Sequence, residues 1–106
     1  MRLEPYLRET ALADLQQVYD ALLFESPVSA ERLLQEFDAT VETLCVWPYI
    51  GRRFRLPEGL MSDLRVRRIA HFPHLVFYRV GLETQTLEIW RIMHGARDLP
   101  RRLAEP

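Results

Sequence analysis

Four arginines, Arg65, Arg67, Arg79 and Arg91, stand inside segments patterned like β-strands, interleaved with Phe77, Tyr78 and Trp90. A charge placed in a strand must be solvated or paired. Guanidinium forks on a sheet that also offers aromatic rings can hold phosphates and stack bases, or bind the carboxylates of an acidic protein segment. The plain alternative is pairing within the fold, with Glu83, Glu88 or acids of the N-terminal half. For any single arginine the pairing is favoured; for the four as a cluster, an anionic partner is.

Histidine is the next chemistry to weigh. His94 closes the last apolar run; histidine as a residue type is suited to proton transfer near neutral pH, so it can serve as a general acid or base, or simply hydrogen-bond its turn. His71 and His74 flank Pro73 and read as loop residues. Their spacings match no metal motif, and the single cysteine, Cys45, brings no second thiolate. Cys45 falls on an apolar helical stripe, where packing is its default role. Ser26, Ser29 and Ser62 lack a nucleophile-elbow context, and four scattered glycines form no phosphate loop. No cofactor or metal is expected, and a self-contained hydrolase is disfavoured.

Charge narrows the partners further. All 14 basic residues are arginine, which excludes a lysine nucleophile or base. Residues 1–51 carry three arginines against nine acids, and residues 52–106 eleven arginines against six. A net charge of −1 therefore covers an acidic half and a basic half. Either the basic half meets an anionic partner, nucleic acid or acidic protein, or the two halves neutralise each other within one domain. No apolar run of membrane-spanning length and no apolar leader occurs, so the cytoplasm is the expected location and no membrane partner is expected.

The elements that must position these groups follow from periodicity. Residues 2–7 form a short strand whose Pro5 suits an edge position or a bulge. Leu12, Leu15, Val18, Tyr19, Leu22 and Leu23 recur at helical spacing over roughly 10–25, with Thr10 as N-cap and Asp14 favouring the helix dipole. Ser26-Pro27 stops that helix and starts another over roughly 28–46, carrying Ala30, Leu33, Leu34, Phe37, Val41, Leu44 and Cys45. Pro48 and Gly51 end it. Residues 52–63 read as a loop with Arg52, Arg53 and Arg55 solvated. Leu64–Ile69, His74–Val80 and Leu87–Met93 read as three strands, with a turn-length connector at Gly81–Thr86. The order β-α-α-β-β-β makes one α+β domain over residues 1–106, an antiparallel sheet with an N-terminal helical hairpin packed on one face. The inward face of the last strand stays open, because Leu87, Ile89 and Met93 compete with Trp90 and Ile92. The other sheet face is left with enough apolar side chains to want a covering partner.

In order along the chain, Ala13-Asp14-Leu15 with Val18-Tyr19-Asp20, the Ser26-Pro27 break, Leu44-Pro48-Gly51-Arg52, Leu64-Arg65-Val66, His74–Arg79 and Ile92–Asp98 resemble toxins of the ParE/RelE superfamily of toxin–antitoxin (plasmid-stabilisation) modules. The resemblance covers about residues 3–103 and implies the same β-α-α-β-β-β fold. It further implies a cognate antitoxin whose acidic or amphipathic tail wraps the toxin. Two activities exist among such toxins. ParE-like members poison DNA gyrase and so arrest growth, catalysing nothing themselves; RelE-like members cut mRNA on the ribosome. For cleavage, Arg65, Arg79 and Arg91 would supply cations and His94 the acid or base. The chain departs from the nuclease pattern: it has no lysine and no tyrosine after Tyr78, and its His-Gly-Ala-Arg-Asp ending is more like ParE. Gyrase inhibition is the favoured expectation, with an inactive member that only binds antitoxin as a third. The expected antitoxin- or target-binding surface is Arg65, Arg67, Arg79, Trp90, Arg91, His94 and Arg97, with Asp98 holding the final turn, and Arg8 is expected to lie away from it.

Overall fold

A computed structural model describes residues 2–54 and 63–95. The expected Arg55, Arg97 and Asp98 lie outside the described residues. The chain runs β1 (Glu4–Leu7), α1 (Glu9–Glu25), α2 (Pro27–Val46), β2 (Arg52–Arg53), β3 (Arg65–Arg68), β4 (His74–Gly81) and β5 (Thr86–His94). The sheet order is β1-β5-β4-β3-β2. The last four strands form an antiparallel meander, and β1 joins the outside of β5 in parallel. The helical hairpin makes that parallel pairing possible, because it carries the chain from one sheet edge back across the sheet. Pro5 is tolerated for the expected reason: β1 is an edge strand.

The two helices share one connecting residue. Ser26, extended at φ −158° and ψ 107°, ends α1 by donating its N–H to Leu22 O. Its hydroxyl then accepts from Ser29 N–H at 3.3 Å to cap α2, with Pro27 in the first turn where no amide partner is needed. Thr10 is not the cap of α1. The helix begins at Glu9 directly after Arg8, whose N–H still bonds Ile89 O in the sheet at 3.0 Å. Thr10 is thus already helical, and its hydroxyl serves another purpose, given below.

Arg52 and Arg53, expected in a loop, form the short edge strand β2 against Val66 and Arg65. His74, read both as a loop residue beside Pro73 and as the start of the strand His74–Val80, is the first residue of β4 and is buried. His71 does lie in the β3–β4 turn, at a left-handed φ of 69°.

The main core lies between the helices and the sheet. Leu33, Phe37, Val41, Leu44 and Cys45 of α2 meet Val76, Tyr78, Leu87, Ile89 and Ile92, with Leu3 locked in by its N–H to Cys45 O at 3.0 Å. Each large aliphatic buried this way contributes about 1.5–3 kcal/mol. A second cluster, Phe54, Leu64, Val66 and Phe77, sits on the opposite face with Leu75, Trp90 and Met93 against it. Cys45 has no exposed surface, and burial pushes its thiol above the usual range. We expect it to resist iodoacetamide in the folded protein and to react at the free-thiol rate once urea unfolds the chain; equal rates in both states would place it at the surface.

Candidate functional site

The alternation of a strand decides where each arginine goes. Arg65 and Arg67 pair with Tyr78 and Val76, whose side chains enter the helix-side core. Arg65 and Arg67 therefore project from the helix side of β3. Arg79 follows Tyr78 and belongs to the opposite, outer face with Phe77. The four arginines do not form one surface.

The ambiguity on β5 has a local cause. Phe77 pairs with Arg91 while Tyr78 pairs with Ile89, so Trp90 is an extra residue, a β-bulge. Before it, Leu87 and Ile89 face the helices; after it the parity switches and Ile92 does. Trp90 and Met93 go to the outer face. No uniform period could have assigned these faces, because the strand changes phase midway.

Past the bulge, β5 outruns its edge partner, since β1 pairs only with Thr86 through Ile89. Side chains of α1 take over the exposed edge. Thr10 Oγ1 donates to Trp90 O at 3.0 Å. Asp14 accepts Ile92 N–H at 2.9 Å, and also Arg91 Nε and Nη2 at 2.7 and 3.0 Å. Arg91 is thereby clamped to α1 in a bidentate pair, and Asp14 acts as a structural acceptor rather than a dipole partner. Asp14 and Arg91 also line a cleft of about 360 Å³, together with Val18, Leu22, Glu25, Ile92, His74 and His94. His94 sits across the register from His74, the rings edge-to-face at 5.3 Å.

A second clamp holds the turn after α2. Tyr78 is fully buried; its Oη donates to Pro48 O at 2.7 Å and accepts Gly51 N–H at 3.0 Å. Arg65 Nη1 donates to Gly51 O at 2.8 Å and to Tyr49 O at 3.3 Å, and its guanidinium lies 5.0 Å over the Tyr49 ring. Burial raises the Tyr78 phenol above its ordinary range, opposed by the Gly51 hydrogen bond and by Arg65 and Arg67. Trp47, Tyr49 and Ile50 of this turn are exposed, and Tyr49 is the one that meets Arg65.

On the outer face, Arg8, Glu88, Trp90 and Arg79 form a row. Arg8 covers the Trp90 ring at 4.0 Å, and Arg79 approaches it at 5.9 Å. Glu88 lies 3.8 Å from Arg8 and 3.9 Å from Arg79, which is also 3.7 Å from Asp63. Arg8, expected to be remote, is thus a neighbour of two expected binding residues. The alternation Glu4-Tyr6-Arg8 could have put it on the outward face of β1, but the choice of β5 as partner strand is not written locally.

The chain matches the family model "ParE toxin of type II toxin-antitoxin system, parDE" over residues 6–99. The chain belongs to the ParE toxin family. This ParE-family toxin shares its fold with a chain of the chromosomal ParDE TA system from P. aeruginosa, at a TM-score of 0.69 and 21% identity, covering 88% of this chain and 96% of that one. It is likewise similar to a chain of the toxin–antitoxin complex RelBE2 from Mycobacterium tuberculosis, at a TM-score of 0.62 and 18% identity, covering 89% and 99%. No curated protein sequence matches the ParE-family chain. No helix among its described residues is long and apolar enough to cross a membrane.

Proposed function

We propose that this toxin acts by binding: a cognate antitoxin holds it in check, and the released toxin arrests growth by trapping DNA gyrase on cleaved DNA in the cytoplasm. The observation that carries this reading is the dispersal of the groups that mRNA cleavage would need. Phosphoryl transfer requires an acid or base and cations converging within about 3 Å of the reacting atoms. Arg65 is spent on carbonyls at the α2 turn and Arg79 lies on the other sheet face; Arg91 lines the same α1–β5 cleft as His94, but its guanidinium is clamped by Asp14. The lack of lysine points the same way. Membership in the ParE family and likeness to chains from the ParDE and RelBE2 systems support an antitoxin partner.

The test incubates the purified toxin with gyrase, ATP and supercoiled plasmid and traps cleaved DNA with detergent and protease, beside programmed ribosomes read for mRNA cuts. We expect gyrase-dependent linear DNA and intact mRNA. Cut mRNA with untouched plasmid would overturn the reading in favour of the ribosome-dependent nuclease. Neither product would leave a member that only binds antitoxin.

A further inference from the structure

We propose that Arg67, Arg65 and the Tyr49 ring, on the helix side of β3, form a site for a single strand of DNA, with the guanidiniums on its phosphates and the ring stacked on a base. That the strand is one parted by gyrase rests on the toxin reading above; the chemistry of the site does not.

The arginines of this chain are not equally neutralised. Ion pairs engage Arg2, Arg8, Arg79 and Arg91, whereas among the described residues no carboxylate pairs with Arg65 or Arg67. Alternate residues of a strand share a face and stand about 6.6 Å apart, a spacing that suits successive phosphates of an extended strand. Arg65 and Arg67 both oppose the rise of the Tyr78 phenol, so both charges stand near its hydroxyl, beside the turn which that hydroxyl holds. The helices meet the sheet chiefly on β5 and β1, and Arg67 is exposed.

Tyr49 supplies the second half of the recognition. Its side chain is 55% exposed, and the Arg65 guanidinium lies 5.0 Å over the ring while being fixed by Gly51 O and Tyr49 O. Ring and charge are thus held as one unit, and a platform already ordered loses little entropy on binding. The outer-face row offers phosphates no such place, because Glu88 and Asp63 bring two negative charges to Arg8 and Arg79. A duplex keeps its base faces stacked on one another, so only a single strand gives Tyr49 a base. An acidic peptide meets the guanidiniums but leaves the ring without that planar partner.

Fluorescence anisotropy of a labelled oligothymidylate of about ten nucleotides, titrated with the toxin alone, tests the site. We expect saturable binding that weakens about sevenfold between about 50 and 200 mM salt, the slope for two phosphate contacts on a single strand. Arg67→Gln should lower the affinity about fivefold and flatten the salt dependence. Tyr49→Ala should lower it about tenfold with the salt dependence kept, and Arg8→Gln should change neither. The Arg67 and Tyr49 side chains make no hydrogen bond among the described residues, so neither change removes a support of the fold; circular dichroism verifies this, and if one variant unfolds the other carries the comparison. No saturable binding, an equal loss in Arg8→Gln, or full affinity in both Arg67→Gln and Tyr49→Ala would overturn the site. So would stronger competition by an oligo-glutamate peptide or by duplex DNA of the same length, or a ribo-oligonucleotide bound at least tenfold more tightly. The gyrase reaction is scored separately: trapped linear DNA without oligonucleotide binding removes only this site, and binding without trapped DNA removes only the gyrase reading.

Discussion

Asp14→Asn is expected to destabilise the protein by about 2–3 kcal/mol, read as a lower urea midpoint with an unchanged slope. One carboxylate satisfies three donors there: the Ile92 peptide N–H and two N–H groups of Arg91. The pair is largely shielded, with the Asp14 side chain 11% and the Arg91 side chain 28% exposed, so water replaces the lost acceptor poorly. An amide of equal size keeps the shape but not the charge, and it can accept on one oxygen only. The mechanism also predicts coupling. Asp14→Asn and Arg91→Gln together should cost clearly less than their sum, because the second change removes the charge that the first left badly solvated. A cost below about 0.5 kcal/mol, the range of ordinary surface substitutions, would mean that α1 does not hold the end of β5.

Gly51→Ala should cost about 3 kcal/mol or more, for a different reason. A Cβ at this position would overlap Tyr78 Oη and stand 2.8 and 2.9 Å from Cε1 and Cζ of the same ring. The ring is fully buried and cannot swing away, so the turn must move and lose the hydrogen bonds to Gly51 N–H and Pro48 O. Tyr78→Phe alone, which deletes only the hydroxyl, should cost about 1–2 kcal/mol. Combining the two should recover part of the Gly51→Ala loss, since the worst overlap is gone while the ring carbons remain close. Strict additivity would refute the clamp.

Tyr78 also sets an alkaline limit. Its phenol is raised in the fold, so the folded state retains a proton that the unfolded chain releases above about pH 10. The stability attached to neutral Tyr78 is complete below that pH and is lost as pH climbs toward the folded value. Tyr78→Phe should flatten this alkaline loss when unfolding is followed between neutral and strongly alkaline pH.

How much of this was legible beforehand varies by element. The Ser26-Pro27 junction was readable to the residue, because capping and proline geometry depend only on neighbours. Both helices, the three long strands and the edge position of β1 followed from period and from Pro5. The N-cap of α1 was assigned to Thr10 rather than Arg8, because a sheet hydrogen bond, Arg8 N–H to Ile89 O, fixes where the strand gives way to the helix. The two-residue β2 was missed because so short a strand is defined by its partner rather than by its own pattern.

The candidate site divides along the same line. Its residue types, arginines among aromatics in the basic half, were evident at once, and so was the family resemblance. Their separation onto two faces was not: it depends on register, with Arg65 opposite Tyr78, and on one bulge at Trp90 that reverses the parity of β5. The pairing of Asp14 with Arg91 and of Arg8 with Trp90 joins residues more than seventy positions apart. By itself, then, the sequence determined which segments become helix or strand, the apolar stripes and the supply of guanidinium charge, since these depend on local sterics and periodicity. Only the tertiary structure decided which arginines are engaged by the fold and which face outward with donors to spare, because that is settled by strand partners, and a one-residue shift in pairing sends a side chain to the other face.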